Sequence, residues 1–359
     1  MKKLIFIILL LSLTLIGCEK EVIRIGVVTT LSGNNSDIGV SMRDGFLLKV
    51  NEINDAGGIN GHKIELIIKD DEGDINKVKQ ITQDLIDQDI KILFGYETSS
   101  KKNAIEEFFG REDLIFMSPT LSAYELSNID DNFFRVIPTN YQQGETLGHY
   151  ANKYSKKTLV LYSQVNANFA KGVYEGYADT FEGEVVIKAV EKGILELEED
   201  ILLWYEGMDS LMVVMNPNDT LLTSQVFYRN NVETNIYSSN WGMAANAHQT
   251  GGQSIDGTVY TSLLGDDSYA PYKRFQETYF DRFNENPSFA TIYAYEAGII
   301  ITEALKQADS FDGQDLKKAI LELDVQEGII SDLKLNEFGD IQRENLIVKL
   351  IEGKLIYQE

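Results

Sequence analysis

Residues 23–69 read IRIGVVTTLSGNNSDIGVSMRDGFLLKVNEINDAGGINGHKIELIIK. Ile23 to Thr29 is an apolar, β-branched run of strand length. Met42 to Asn54 then carries apolar residues at the three- and four-residue spacing of an amphipathic helix. Gly57-Gly58 ends it, because glycine accepts the left-handed conformation that closes a helix. Lys63 to Lys69 is again a strand. A strand, a covering helix and a second strand form the unit from which parallel sheets are built.

The same rhythm continues outward. Asn76 to Gln88 predicts a helix, Ile90 to Gly95 a short buried strand, Lys101 to Phe109 a helix and Leu114 to Met117 a strand. A second series starts after Pro138, with helices over Gln142–Tyr154, Phe169–Phe181 and Leu221–Asn230. Its strands are Thr158–Tyr162, Val185–Val190, Ser210–Met215, Asn235–Ser238 and Thr258–Ser262. Tyr272–Asn284 and Ile292–Ala308 are long helices, and Asp332–Tyr357 has the punctuation of antiparallel strands. The fold class is α/β, with two parallel-sheet series separated near Arg135 to Thr139.

The start of the chain is different in kind. Lys2 and Lys3 precede an apolar run from Leu4 to Ile16, broken by Ser12 and Thr14. As a helix that run reaches about 20 Å, short of the roughly 30 Å hydrocarbon core of a bilayer, so it reads as a signal-peptide core. Leu15-Ile16-Gly17-Cys18 resembles a bacterial lipobox, in which the cysteine thiol is acylated and the peptide is cut just upstream. Cys18 is the single cysteine of the chain, so no internal disulfide is available. These residues predict a signal peptide over 1–17, a tether over 18–22 and a lipid-anchored, extracytoplasmic protein.

The formal charge is −24, and loss of Lys2 and Lys3 takes it to −26. Such a surface repels phosphate backbones, so no nucleic-acid partner is expected, and attachment to a membrane falls to the lipid. His62, His149 and His248 are scattered without metal-ligand spacing and read as surface or loop residues. There is no serine elbow, no phosphate loop and no dinucleotide fingerprint. No catalytic residue, metal or cofactor is predicted. Asp70-Asp71-Glu72-Gly73-Asp74 lacks the ligand spacing of a calcium loop and reads as a solvated strand end.

Two loops carry candidate binding groups. Ser99 and Ser100 stand where a strand gives way to a helix, and Thr120 and Ser122 follow the next strand in the same way. Loops at the carboxyl ends of parallel strands are where open α/β sheets bind ligands, and free N–H groups there favour an anion such as a carboxylate. The same hydroxyls can serve as helix caps.

The motifs Leu31-Ser32-Gly33, Gly39, Asp44-Gly45 and Asn51 to Gly61 resemble the branched-chain amino acid (Leu/Ile/Val) type of periplasmic solute-binding protein. Lys63 to Leu66, Asp70-Asp71, Phe94 to Ser100, Met117 to Ser122 and Phe134-Arg135-Val136 continue the resemblance. It runs from about Val22 to the end, specific in residues up to Tyr141 and in pattern beyond. It implies two lobes joined by three crossovers, 23–136 with 264–328 and 137–263 with 329–359. It also implies a ligand between them and a monomer that delivers it to ABC permease subunits. By the same resemblance Ser99 meets the ligand carboxylate, with Thr120 and Ser122 on its head group and Phe169 as an aromatic lid; Tyr96 and Trp241 complete the expected site. The departure is at Asn240-Trp241, where amino-acid binders carry an acidic residue for the ligand ammonium. The ligand is then an amino acid whose partner is Asp219, Glu233 or Glu97, or a small carboxylate or amide with no ammonium. A ligand-sensing receptor subunit and a secreted hydrolase are the alternative functions.

Overall fold

The computed structural model describes residues 21–33, 36–243, 251–263 and 269–358. The signal segment, Cys18 and His248 lie outside them.

The first sheet is wholly parallel, in the order β2 (Ile64–Asp70), β1 (Ile23–Thr29), β3 (Ile92–Gly95), β4 (Ile115–Ser118), β5 (Phe133–Arg135). On one face Ile25, Val27, Phe94 and Met117 pack against α1 (Ser36–Asp55) and α8 (Phe289–Gln307); Phe46 of α1 stacks on Phe94 at 3.7 Å. On the other, Val28, Leu93 and Phe116 meet Leu85 of α2 (Ile75–Asp87). Alternation along each strand divides these residues between the faces. Gly58 closes off α1 at φ +82°, where a Cβ would stand 2.1 Å from the carbonyl oxygen of His62. The capping role expected of Gly57-Gly58 is therefore borne out.

The second sheet has seven strands in the order β12 (Lys354–Gln358), β11 (Leu346–Ile351), β10 (Val259–Ser262), β9 (Asn235–Ser238), β8 (Ser210–Val214), β6 (Lys157–Ser163), β7 (Glu184–Val190). Only the β10–β11–β12 pairs are antiparallel. Leu159 and Leu161 face α5 (Glu198–Tyr205) and α6 (Pro217–Arg229), while Val160 faces α3 (Asn140–Ala151) and α4 (Ala167–Thr180). Helices α3 and α4 approach closely because Gly144, Gly148, Gly172 and Gly176 leave room for backbone against backbone.

The chain leaves the first sheet after β5, returns to it between β10 and α7 (Ala270–Phe283), and crosses back between α9 (Gly313–Leu321) and β11. Three crossovers thus join the two sheets, as expected. Several sequence expectations shift. The helix expected over Lys101–Phe109 is three short turns, Ser99–Lys101, Lys102–Ile105 and Glu106–Phe108. Helix α1 begins six residues before Met42, and α5 and α9 went unread. The expected antiparallel tail is a hairpin over β11 and β12 alone. Before it, Ile329, Leu333 and Ile341 are buried in the core of the first lobe. Isolated bridges, Gln326 with Leu333 and Leu335 with Ile341, stand in place of a ladder there.

Two buried guanidinium groups tie this third crossover down. Arg135 donates to Asp340 Oδ1 at 2.7 Å, to the Ala123 carbonyl at 2.7 Å and to Ser127 Oγ at 2.6 Å. Arg343 donates to both carboxylate oxygens of Glu296, at 2.6 and 2.9 Å, and to the Ser331 carbonyl. Glu296 is wholly buried and also accepts the amides of Ile329 and Ile330. Removing one partner of such a pair strands the other charge. Arg343→Met should lower stability by about 3–5 kcal/mol, read as an earlier midpoint in urea unfolding; an unchanged midpoint would mean that Glu296 is satisfied by the two amides alone.

Candidate functional site: the cleft at the strand ends

Strands β1, β3 and β4 of the first lobe and β6, β8 and β9 of the second end on loops that face one another. After β3 the backbone takes positive φ twice, +121° at Gly95 and +59° at Tyr96. At Gly95 a Cβ would lie 2.2 Å from the Val28 carbonyl oxygen, so the strand can turn there only without a side chain. The reversal sends Tyr96 into the core, where its hydroxyl meets Thr82 Oγ1 at 3.0 Å and burial raises its pKa. Tyr96 is therefore not a cleft residue, contrary to expectation.

Glu97 follows, with its side chain across the end of β1. Its carboxylate accepts Thr29 Oγ1 at 3.2 Å, Thr30 Oγ1 at 2.6 Å and Lys101 Nζ at 2.6 Å. Lys101 also donates to Thr30 Oγ1 at 3.1 Å and to Asp71. Asp71 accepts Thr30 Oγ1 at 2.7 Å and the Gly73 amide at 2.9 Å. Asp71, Glu97 and Lys101 are 0, 3 and 2% exposed. The acidic run at 70–74 is thus no solvated strand end: Asp71 turns inward to share Lys101, and only its neighbours stay near the surface.

Ser99 and Ser122 are buried, and neither hydroxyl makes a hydrogen bond within the protein. Thr120 differs: its hydroxyl donates to the Glu97 carbonyl at 2.8 Å and braces the loop. From the second lobe, Asn166 Oδ1 accepts the Ser100 amide at 3.2 Å and its hydroxyl at 2.9 Å, and Asn168 Nδ2 donates to the Ser99 carbonyl at 3.2 Å. Asn140, fully buried at the start of α3, accepts the amides of Tyr124 and Tyr141 and donates to the carbonyls of Asn168 and Phe169. Tyr124 donates to Glu175 at 2.7 Å, and that bond pushes its hydroxyl up to about 12. The lobes are thus in contact across the cleft.

On the facing side, Ser239 is a third buried hydroxyl without a partner, and the Asn240 amide is held by Gln143 Oε1 and Thr261 Oγ1. Phe169 and Trp241 pack edge to face, 5.5 Å between centroids and each 6% exposed. The lid expected of Phe169 is a core contact in this form, because the ring is committed to Trp241. Asp219 accepts Asn216 Nδ2 at the first turn of α6, and Glu233 is exposed in a loop. The structure places Ser99, Thr120 and Ser122 on the loops after β3 and β4, with Asp71, Glu97, Lys101, Asn140, Asn166 and Asn168 around the Ser99 loop or across it, and Ser239 at the end of β9. The one signal for Asn166 and Asn168 was their place just after β6, at the mouth of a helix. His62 and His149 lie at the surface, as expected, and no metal-binding group of side chains occurs among the described residues.

Two sheets whose strand ends meet across a hinged cleft define a two-lobed binding fold. Residues 22–343 match the periplasmic binding protein family, and the chain belongs to it. It is 22% identical over 340 residues to a Leu/Ile/Val-binding protein homologue of Brucella suis, covering 89% of this chain and 87% of that one. A leucine-binding protein from Thermotoga maritima superposes with a TM-score of 0.82 at 16% identity, over 94% of this chain and 98% of the other. A solute-binding protein of an ABC transporter from Rhodopseudomonas palustris, in complex with 3,4-dihydroxybenzoic acid, gives 0.81 at 18%, over 94% and 96%.

The Asn166 contacts latch the cleft. Asn166→Ala removes two hydrogen bonds and should weaken closure by about 1–2 kcal/mol. Small-angle scattering of the ligand-free variant is expected to give a larger radius of gyration than wild type, and identical curves would exclude a latch.

Proposed function

We propose that this chain is the extracytoplasmic, lipid-anchored solute-binding subunit of an ABC-type importer, and that it closes over a small amino acid or a related carboxylate or amide. The observation that carries the reading is the pair of unpartnered hydroxyls, Ser99 and Ser122, at the ends of adjacent strands of the first lobe, with Ser239 on the second. Buried hydroxyls are ordinarily satisfied, and three at one cleft fit an acceptor-rich ligand group such as a carboxylate. Phe169 and Trp241 border the same region from the second lobe. The relatives' ligands, leucine in one and an aromatic acid in another, fall within this class. The domain division proposed is 1–17 signal peptide, 18–22 tether, then two lobes. The packing of Ile329 to Ile341 favours placing the last boundary near 345 rather than 328. Hinge closure about the three crossovers would present the bound form to permease subunits, with the chain acting as a monomer.

Because the two serine hydroxyls have no partner in the protein, their removal should leave the free protein intact. Ser99→Ala and Ser122→Ala are each expected to weaken binding by about 1–2 kcal/mol, roughly five- to thirtyfold, with the ligand-free melting temperature unchanged. Calorimetric titration against amino acids and small carboxylates, paired with thermal melts, reads both. A drop in melting temperature without loss of affinity would make these serines structural.

Anchoring is tested separately. Cys18→Ser should move the protein from the membrane to the soluble fraction, since an acidic surface gives little attraction to anionic head groups. A variant that still sediments with salt-washed membranes would overturn the lipid anchor.

A further inference from the structure

A cavity beside the hinge includes none of Ser99, Ser122, Phe169, Ser239 or Trp241 in its walls. Its volume is about 680 Å³, within the range of small-molecule sites. The walls come from three parts of the chain: Tyr124 and Asn128 between β4 and β5, Tyr141 and Gln142 on α3, and Asn336 and Gln342 on the third crossover.

Carboxamides are prominent among them. Asn336 Oδ1 accepts the amides of Phe338 and Asp340, and Gln142 Oε1 accepts the amide and hydroxyl of Thr139, which fixes both groups. Among the described residues, the NH₂ groups of these two and the side-chain amides of Asn128 and Gln342 have no partner in the protein. Arg343 also lines the cavity and is 8% exposed. Its terminal nitrogens reach Glu296 and Ser331, but its buried Nε–H has no acceptor. Buried donors are ordinarily matched.

The formal charges of the wall cancel locally. Arg135 is paired with Asp340 and Arg343 with Glu296, while Glu344 is exposed, where water and salt screen it. An ionic ligand finds no free buried counter-charge there. Carboxamides are donor and acceptor at once, and so are hydroxyls. The rings of Tyr124 and Tyr141 lie 5.3 Å apart, tied through their hydroxyls to Glu175 and Asp179, and offer apolar faces to C–H groups. Hydroxyls interleaved with C–H surface are the chemistry of a sugar or polyol.

We propose that this cavity is a second ligand site, for a neutral sugar or polyol, and that its occupant favours the closed arrangement of the lobes. Tyr124 belongs to the first lobe and Glu175 to the second, so their 2.7 Å bond completes a wall only when the lobes meet. A ligand that needs this wall binds the closed form more tightly, and by reciprocity it raises the affinity of the cleft. The site is independent of which solute the cleft takes.

Calorimetric titration of the mature, ligand-free protein with glycerol, myo-inositol, glucose, sucrose and trehalose supplies the test. Millimolar concentrations stay below those at which sugars stabilise proteins by exclusion. At least one probe should bind saturably, with a Kd of about 1 mM or tighter, and small-angle scattering should show a smaller radius of gyration in its presence. Gln342→Trp fills the cavity from the third crossover, and Asn128→Gly removes a carboxamide at φ +58° without straining the turn. Each should weaken the probe by about fivefold or more. Circular dichroism checks folding, and Asn128→Gly decides if Gln342→Trp does not fold. No saturable binding by any probe overturns the site, as does unchanged binding in the deciding variant. Tighter binding of glucuronate or glucosamine than of glucose overturns the neutral ligand, and binding without compaction overturns the coupling.

Discussion

A guanidinium almost without access to water, that of Arg135, sits where the chain first leaves the first sheet. Burial lowers its pKa, while Asp340 opposes that shift by charge and hydrogen bond. The two residues are 205 positions apart in sequence, yet together they fix the first and third crossovers side by side. A hinge made of three strands of chain works only if the strands stay in register while the lobes swing. The Arg343–Glu296 pair does the same between the third crossover and α8. Buried ion pairs of this kind are poor sources of net stability, since desolvation offsets most of the attraction. Their geometry is directional, however, and a hinge needs position more than it needs free energy. A cavity of about 680 Å³ lies against this junction, lined among others by Tyr124, Arg135, Thr139 and Asp340. The crossovers therefore border open space on that side.

Given that hinge, the placement of the cleft follows from the handedness of the fold. Right-handed crossovers put the helices on the faces of a sheet and the carboxyl ends of its parallel strands on one edge. Two such sheets joined at their edges turn those ends toward each other. Ser99 and Ser122, 23 residues apart, then stand beyond the ends of adjacent strands, and Ser239 beyond the end of β9 in the other sheet. The positive φ at Gly95 and Tyr96 does the local work: it turns one side chain down into the core and the next, Glu97, across the strand ends.

Much of this was legible in the sequence, for reasons that can be stated residue by residue. Strands Ile23–Thr29 and Ser210–Val214 are buried on both faces at every position but Arg24, so they read as largely apolar runs. Serines just beyond them could be placed at the cleft from chain order alone. Tyr96 could not, because its direction depends on a backbone reversal that a strand pattern does not predict. Helix α5 begins Glu198-Glu199-Asp200, and in so acidic a chain that first-turn preference is lost among the other carboxylates. Leu333, Leu335 and Ile341 alternate as a strand would, but they bury into the opposite lobe instead of joining a ladder. Charged residues were the hardest. Asp71 and Lys101 look like surface residues until tertiary structure brings them together, since each is tolerable in the interior only because of the other.

The contacts that hold the cleft closed are few and mostly uncharged. Asn166 with Ser100 and Asn168 with the Ser99 carbonyl are ordinary hydrogen bonds, each worth about 0.5–1.5 kcal/mol net. Tyr124 with Glu175 adds one bond to a charged acceptor. That modesty has a physical reason. A ligand shifts an opening equilibrium only by its difference in affinity for the two states, and a latch strong enough to close the empty protein would remove that difference. Closure would then no longer distinguish the empty protein from the loaded one. Weak, mostly neutral bonds between the lobes leave the larger share of any closing free energy to what binds.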